Sequence, residues 1–304
     1  MGGFQISYAY PEARKQELIG LPVTVIMRAE VRIMVNFTSE QISEHIFKIT
    51  APGVYCWLVM GKEKACLIDT AWGAGDLKAF VDSICPLPYF VIISHCHVDH
   101  VSGAAQFDRV YMNHGDLFLY EGESALSKRK QDLALFQKSF PEIADITDED
   151  FVPVRTEPFL DLCDGDVFDL GGVHLEAVHV KGHTPGMMMI LIREERVMFY
   201  GDGCTKHTFL FTNGALPVRE YLEGLKHLKE YDGCYDTVIR SHNLHTQPKY
   251  ILDENMELCE RILKGQDARQ LCTAAGHRVY AAAAVDEKLN RTDGKTANIF
   301  YPAD

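Results

Sequence analysis

His95-Cys96-His97-Val98-Asp99-His100 sets three histidines and an aspartate within six residues, directly behind the apolar run Phe90-Val91-Ile92-Ile93. β-Branched residues favour a strand, and a strand that ends in imidazoles and a carboxylate is one way to build a metal site. Residues two apart on extended chain point to the same side, so His95 and His97 can grip one ion together. Asp99 and His100, where the chain leaves the strand, can turn toward a second ion. The alternative is a polar loop that happens to be rich in histidine. Four metal-competent side chains in six positions make chance a poor account of it.

Outward from this cluster the chain alternates strands and helices. Upstream, residues 45–50, 54–60 and 66–70 read as strands and 76–83 as a short helix. Downstream, strand patterns return at 173–180, 187–192, 197–200 and 235–240. Pro217 opens an amphipathic helix with Val218, Tyr221, Leu222, Leu225 and Leu228 on one face, and Pro248 starts another that runs to about Leu263. Strands followed by helices in this order indicate an α/β sandwich. No repeat, low-complexity tract or linker divides the sequence, so 1–304 reads as a single domain with two additions. Residues 1–44 form an N-terminal extension, with an edge hairpin expected in the alternating apolar stretch at 21–35. Residues 113–153 form a helical insert whose Phe118, Tyr120, Phe136 and Phe140 would wall the metals if it folds over them as a cap; otherwise they are the insert's own core.

Metal ligands have to come from several rigid elements whose ends meet, and three further strand ends carry ligand-type residues. They are Gly182-His183-Thr184-Pro185-Gly186, Gly201-Asp202-Gly203 and Ser241-His242-Asn243. Each alone is a plain turn; together they supply what a two-ion site lacks. In this order the motifs resemble those of the metallo-β-lactamase fold superfamily of binuclear metallohydrolases, and Leu67-Ile68-Asp69-Thr70 looks like that family's early strand motif. The resemblance spans about residues 45–265. It implies an αββα sandwich with the site at one rim. His95, His97 and His183 would hold the first metal, Asp99, His100 and His242 the second, and Asp202 would bridge both. The presence of His97, where the diiron branch has glutamate, argues for a hydrolytic site.

Two divalent ions lower the pKa of a shared water toward neutrality, and Asp99 is placed to orient that nucleophile or shuttle its proton. Zinc is the default for an imidazole-rich site, with iron or manganese not excluded by ligand type. Asp69 reads either as a carboxylate that fixes the tautomer of a ligand histidine or as a turn cap. Lys206, His207 and Tyr111 are candidate substrate contacts, with His114 behind them.

The chain carries 30 basic and 43 acidic residues in 304, a net charge of -13. Such a surface repels phosphate backbones and anionic membranes, which argues against nucleic acid or membrane as partner and for a small-molecule substrate. Nine cysteines without a C-x-x-C pair suit a reducing compartment, and no leader-like pattern opens the chain, so a cytoplasmic location is expected. A homodimer through the apolar extension stays open. The expected activity is hydrolysis of a lactone or thioester. A phosphodiesterase or nuclease, a β-lactam hydrolase and a structural or sensing metal module are the alternatives, and seven candidate ligands favour catalysis over a closed structural site. Substituting His97→Ala is expected to remove one metal equivalent and most of the turnover while leaving the circular dichroism spectrum intact. Full activity in that variant would overturn the ligand assignment.

Overall fold

The computed structural model describes residues 37–303. The chain divides into two units, Met1–Arg32 and Ile33–Asp304. The described residues all belong to the second unit. The hairpin expected at 21–35 and the apolar surface invoked for a dimer lie outside the described residues.

At the centre of the second unit is a pair of sheets. The first has the order β1 (Thr38–Gln41), β2 (Ile46–Ala51), β3 (Val54–Met60), β4 (Ala65–Ile68), β5 (Tyr89–Ile93), β6 (Val110–Met112) and β7 (Leu160–Asp161). It is antiparallel up to the β3–β4 pair and parallel from there on. The second contains β8 (Val167–Asp169), β9 (His174–His179), β10 (Met188–Ile192), β11 (Val197–Phe199), β13 (Thr237–Ile239) and β14 (Thr246–Gln247), in the order β14-β13-β11-β10-β9-β8.

The sandwich follows from strands that are apolar on both faces. Along β3, Trp57 and Val59 point between the sheets while Cys56 and Leu58 point outward; in β10, Met188, Ile190 and Ile192 point inward and Met189 and Leu191 outward. The inward set makes the inter-sheet core. The outward sets are covered by helices: α1 (Leu77–Ile84) and the short α2 (Val98–Val101) on the first sheet, α5 (Val218–Glu230) and α6 (Ile251–Leu263) on the second. Asp76 caps α1 by accepting from the Ala79 amide at 2.8 Å. The layers are therefore αββα, as the resemblance implies. Among the described residues, no helix is long and apolar enough to cross a membrane.

Three features differ from the sequence reading. β1 pairs with β2, so the expected extension contributes an edge strand before residue 44. A third sheet, β12 (His207–Phe209), β17 (Asn298–Pro302), β16 (His277–Ala281) and β15 (Gln270–Ala274), is matched in the sequence only by a strand-like tail at Ala297–Tyr301. The insert is helical, with α3 (Tyr120–Glu123), α4 (Leu126–Leu133) and several single turns, but it builds no aromatic wall. Phe118 is 68% exposed, and Tyr120 and Phe140 pack into the first outer core. Phe136 alone of the four lines the cleft, against the Trp72 ring and the turn at Gly53.

The close approach of two loops holds the metal-motif segment down. Thr70 donates from both its amide and its hydroxyl to the His100 carbonyl, each at 2.8 Å. A Cβ on Gly103, just past α2, would lie 2.2 Å from the Thr70 carbonyl oxygen. Gly103→Ala is expected to destabilise the fold by about 1–3 kcal/mol through overpacking. Urea unfolding checks this; an unchanged midpoint would mean that the two loops part without strain.

Candidate metal centre

The seven ligand candidates lie at the ends of elements from both sheets. His95 and His97 follow β5; His97 is the residue before α2, which presents Asp99 and His100. His183 sits in the turn between β9 and β10, Asp202 follows β11 and His242 follows β13. They converge in three overlapping groups, His95/His97/His183, His95/His100/Asp202 and Asp99/His100/His242, with ligand-type atoms within 4.8 Å of one another in each. His242 Nε2 lies 3.2 Å from both Asp99 and Asp202. His100 Nε2 is 3.6 and 3.7 Å from the same two carboxylates.

Each imidazole is anchored through its other nitrogen. His183 Nδ1 donates to the Phe209 carbonyl at 2.8 Å, His242 Nδ1 to the Gly53 carbonyl at 2.7 Å and His97 Nε2 to the Asn213 carbonyl at 3.0 Å. His100 Nδ1 donates to Asp69 at 2.8 Å, and that carboxylate also accepts from the amide and hydroxyl of Ser94. The Ser94 hydroxyl in turn accepts from His95 Nδ1 at 3.1 Å. One nitrogen of each ring is thus committed, and the opposite nitrogen is turned toward the other candidates. Three of those nitrogens, His95 Nε2, His100 Nε2 and His183 Nε2, are buried with no hydrogen-bond partner. Buried polar atoms are almost always satisfied, so a cluster of orphaned ring nitrogens beside two carboxylates fits a pair of divalent cations of the nitrogen- and oxygen-binding kind.

Asp69, with a left-handed φ of 67°, is completely buried with its carboxylate on His100 Nδ1. Asp116 is a positioning residue that the sequence did not disclose. Its buried carboxylate accepts from the Cys96 amide, the Thr184 hydroxyl and the Gly186 amide, tying the His95–His97 loop to the His183 turn. The Cys96 thiol faces the outer core, away from the ligands.

The candidate substrate contacts divide. Lys206 and His207 line the cleft above the site. Tyr111 does not: it packs between Phe90 and Phe168 with its hydroxyl held by Arg109, because the pleat of β6 turns it into the inter-sheet layer. His114 is bonded to the Phe159 carbonyl, also away from the cleft. His277 and Arg240, which the sequence left unassigned, do line it. The Ala275-Gly276 turn, with φ of 46° and 80°, was the available signal for the hairpin that carries His277.

The two halves of the site differ in charge. Burial pushes the His95 and His97 imidazoles below their usual value and takes His183 down to about 4. Burial acts the same way on the other half but is outweighed. Asp202 and Asp99 lift His242 to about 10, and Asp99 and Asp69 raise His100 well above the ordinary range. At neutral pH the first trio offers lone pairs at once, whereas His100 and His242 must each release a proton before they can bind a metal. Affinity for the second zinc equivalent is therefore expected to fall by about tenfold or more per unit of pH lowered, with the first far less sensitive. Calorimetric titration in buffers of different ionisation heat checks this, and equal pH dependence of the two equivalents would contradict it.

The model of the metallo-beta-lactamase superfamily matches residues 49–229, more than half of the chain. An acyl-coenzyme A thioesterase from Homo sapiens is 28% identical over 163 residues, 48% of this chain and 56% of that protein. The chain thus spans only about half the length of that relative. A hydroxyacylglutathione hydrolase from Haemophilus influenzae is 29% identical over 164 residues, 52% of this chain and 69% of that protein. Among solved structures, a metallo-beta-lactamase from Pontibacter korlensis aligns with a TM-score of 0.56 at 18% identity, over 74% of this chain and 99% of that one, a likeness of fold. On the match to its model, this chain belongs to the metallo-beta-lactamase superfamily.

Proposed function

We propose that the chain is a metal-dependent hydrolase of thioesters, with zinc as its metal and the cytoplasm as its compartment. The observation that carries the reading is the set of orphaned imidazole nitrogens beside Asp99 and Asp202, on a cleft of about 830 Å³. Two named relatives that act on thioesters support the choice of bond. The nine cysteines, all free, are in keeping with a reducing compartment.

Divalent ions held by these residues supply Lewis acidity and activate water near neutral pH. The chain's own contribution is orientation and charge. Without metal, His100 and His242 hold the Asp99 carboxyl down at about 2 against the effect of burial. With metals bound, Asp99 would accept a hydrogen bond from the attacking water, fixing its direction. A thiolate with an ordinary pKa of about 8.5 leaves without a proton donor, so cleavage of a thioester asks for no further acid in the cleft. Phe136, Leu135 and Leu244 give the cleft lining apolar surface for an acyl group.

Initial rates of the zinc-loaded protein against acyl thioesters, acyl lactones, a phosphodiester and a chromogenic β-lactam test this reading, each with a chelated control. Chelator-sensitive turnover is expected for thioesters above the other classes. Turnover of lactones with none of thioesters would overturn it.

A further inference from the structure

The cleft has a charged wall that hydrolysis of a neutral ester does not need. Arg240 is only 9% exposed yet lines the cleft. Its guanidinium donates to the His242 carbonyl at 2.8 Å and to the Gln247 side-chain oxygen at 3.2 Å. Lys206 lines the same cleft, with its ammonium on the Asn290 side-chain oxygen at 2.8 Å. Among the described residues, neither cation forms an ion pair with a carboxylate. His207, next to Lys206 in sequence, lines the same cleft, and its Nε2 is buried without a partner. The acid whose field reaches Arg240 is Asp202, which belongs to the metal centre.

A guanidinium taken out of water is costly unless its charge is answered. Neutral acceptors satisfy its N–H groups but not its charge. The outcome is the more telling in a chain of net charge -13, where carboxylates are plentiful and, among the described residues, none is in ion-pair contact with either cation. On the helical insert the cation is answered instead: Lys128 is paired with Asp132 at 2.6 Å, and Glu123 also lines the cleft. The charge of the cleft lining is therefore uneven. An anionic group entering it is drawn to Lys206 and Arg240. Arginine presents a fork that matches carboxylate and phosphate oxygens, and a lysine beside it adds a point charge.

We propose that Lys206 and Arg240 form an anion subsite that binds the carboxylate or phosphate of the substrate's thiol portion, leaving the apolar lining of the cleft to the acyl group. The proposal rests on the thioester reading for what the anion is attached to, but not for the subsite itself. It makes the enzyme selective for thioesters of charged thiols and fixes which way round they lie over the metals.

The test measures binding apart from turnover. Calorimetry on the zinc-loaded protein would compare three thioethers that cannot place a thiolate on the metals. They are S-methyl-coenzyme A with its phosphates, S-methylglutathione with its carboxylates, and neutral S-methyl-N-acetylcysteamine. At least one anionic ligand is expected to bind about tenfold or more tighter than the neutral one, the worth of one charge-assisted hydrogen bond. That advantage should shrink with added salt and be lost in Lys206→Gln and Arg240→Gln, while Arg240→Lys retains part of it. Which of the two anions wins identifies the group. Equal binding of all three ligands, or an advantage that survives both glutamine substitutions, would overturn the subsite. Lys206→Gln leaves the His242 loop untouched, so it decides the matter even if loss of Arg240 loosens that loop. Selective anion binding without thioester turnover would sink the thioesterase reading and leave the subsite standing; turnover without anion preference would do the reverse.

Discussion

Three imidazole nitrogens buried without a hydrogen-bond partner cost roughly 1–3 kcal/mol each, and much of the structure around His95, His100 and His183 exists to hold them that way. Asp69 is the first support. Its buried carboxylate takes up His100 directly and His95 through Ser94, so a single charge fixes two rings. Asp116 is the second, gathering the Cys96 amide and the Thr184–Gly186 turn so that ligands from the two sheets face each other. Neither residue is available to touch a substrate. Their work is to keep ring nitrogens pointed at a common centre, which is what a rigid metal site requires of its surroundings.

Much of this was legible in the sequence because the informative residues are dense and local. Strands buried on both faces write themselves as unbroken apolar runs, and β3 and β5 appear close to where those runs stand. The seven ligand candidates each follow such a run, which is why the sequence alone singles them out. Asp116 could not be found that way. Its partners lie 20 to 70 residues away and two of them are backbone amides, which carry no signature in a side-chain pattern. The placement of Tyr111 failed for a different reason. Nearness in sequence to a site says nothing about which face of a short strand a residue occupies, and β6 turns Tyr111 into the inter-sheet layer. The third sheet stayed hidden because β15 alternates weakly between buried and exposed positions and pairs only with a hairpin partner.

The acidic surface and the cationic wall of the cleft do not conflict. Net charge acts over a Debye length of about 8–10 Å in physiological salt, while a nearly buried guanidinium acts at contact in a medium of lower polarity. Approach of an anion is therefore slowed by the exterior and its retention favoured inside, which separates the rate of capture from the strength of holding.

Three of the histidines are anchored to main-chain carbonyls, those of Gly53, Phe209 and Asn213. The same three residues contribute to the lining of the cleft. The metal side of the molecule reads their backbone and the cleft side meets their outer surface. A carbonyl oxygen is the same whatever side chain hangs from its residue. At Phe209 and Asn213 evolution can therefore rewrite what the cleft admits without altering how the rings are held. Gly53 is less free, since its φ of 75° and the Phe136 ring resting on it leave little room for a side chain. Diversification of substrate, on this scaffold, has two open doors and one closed one.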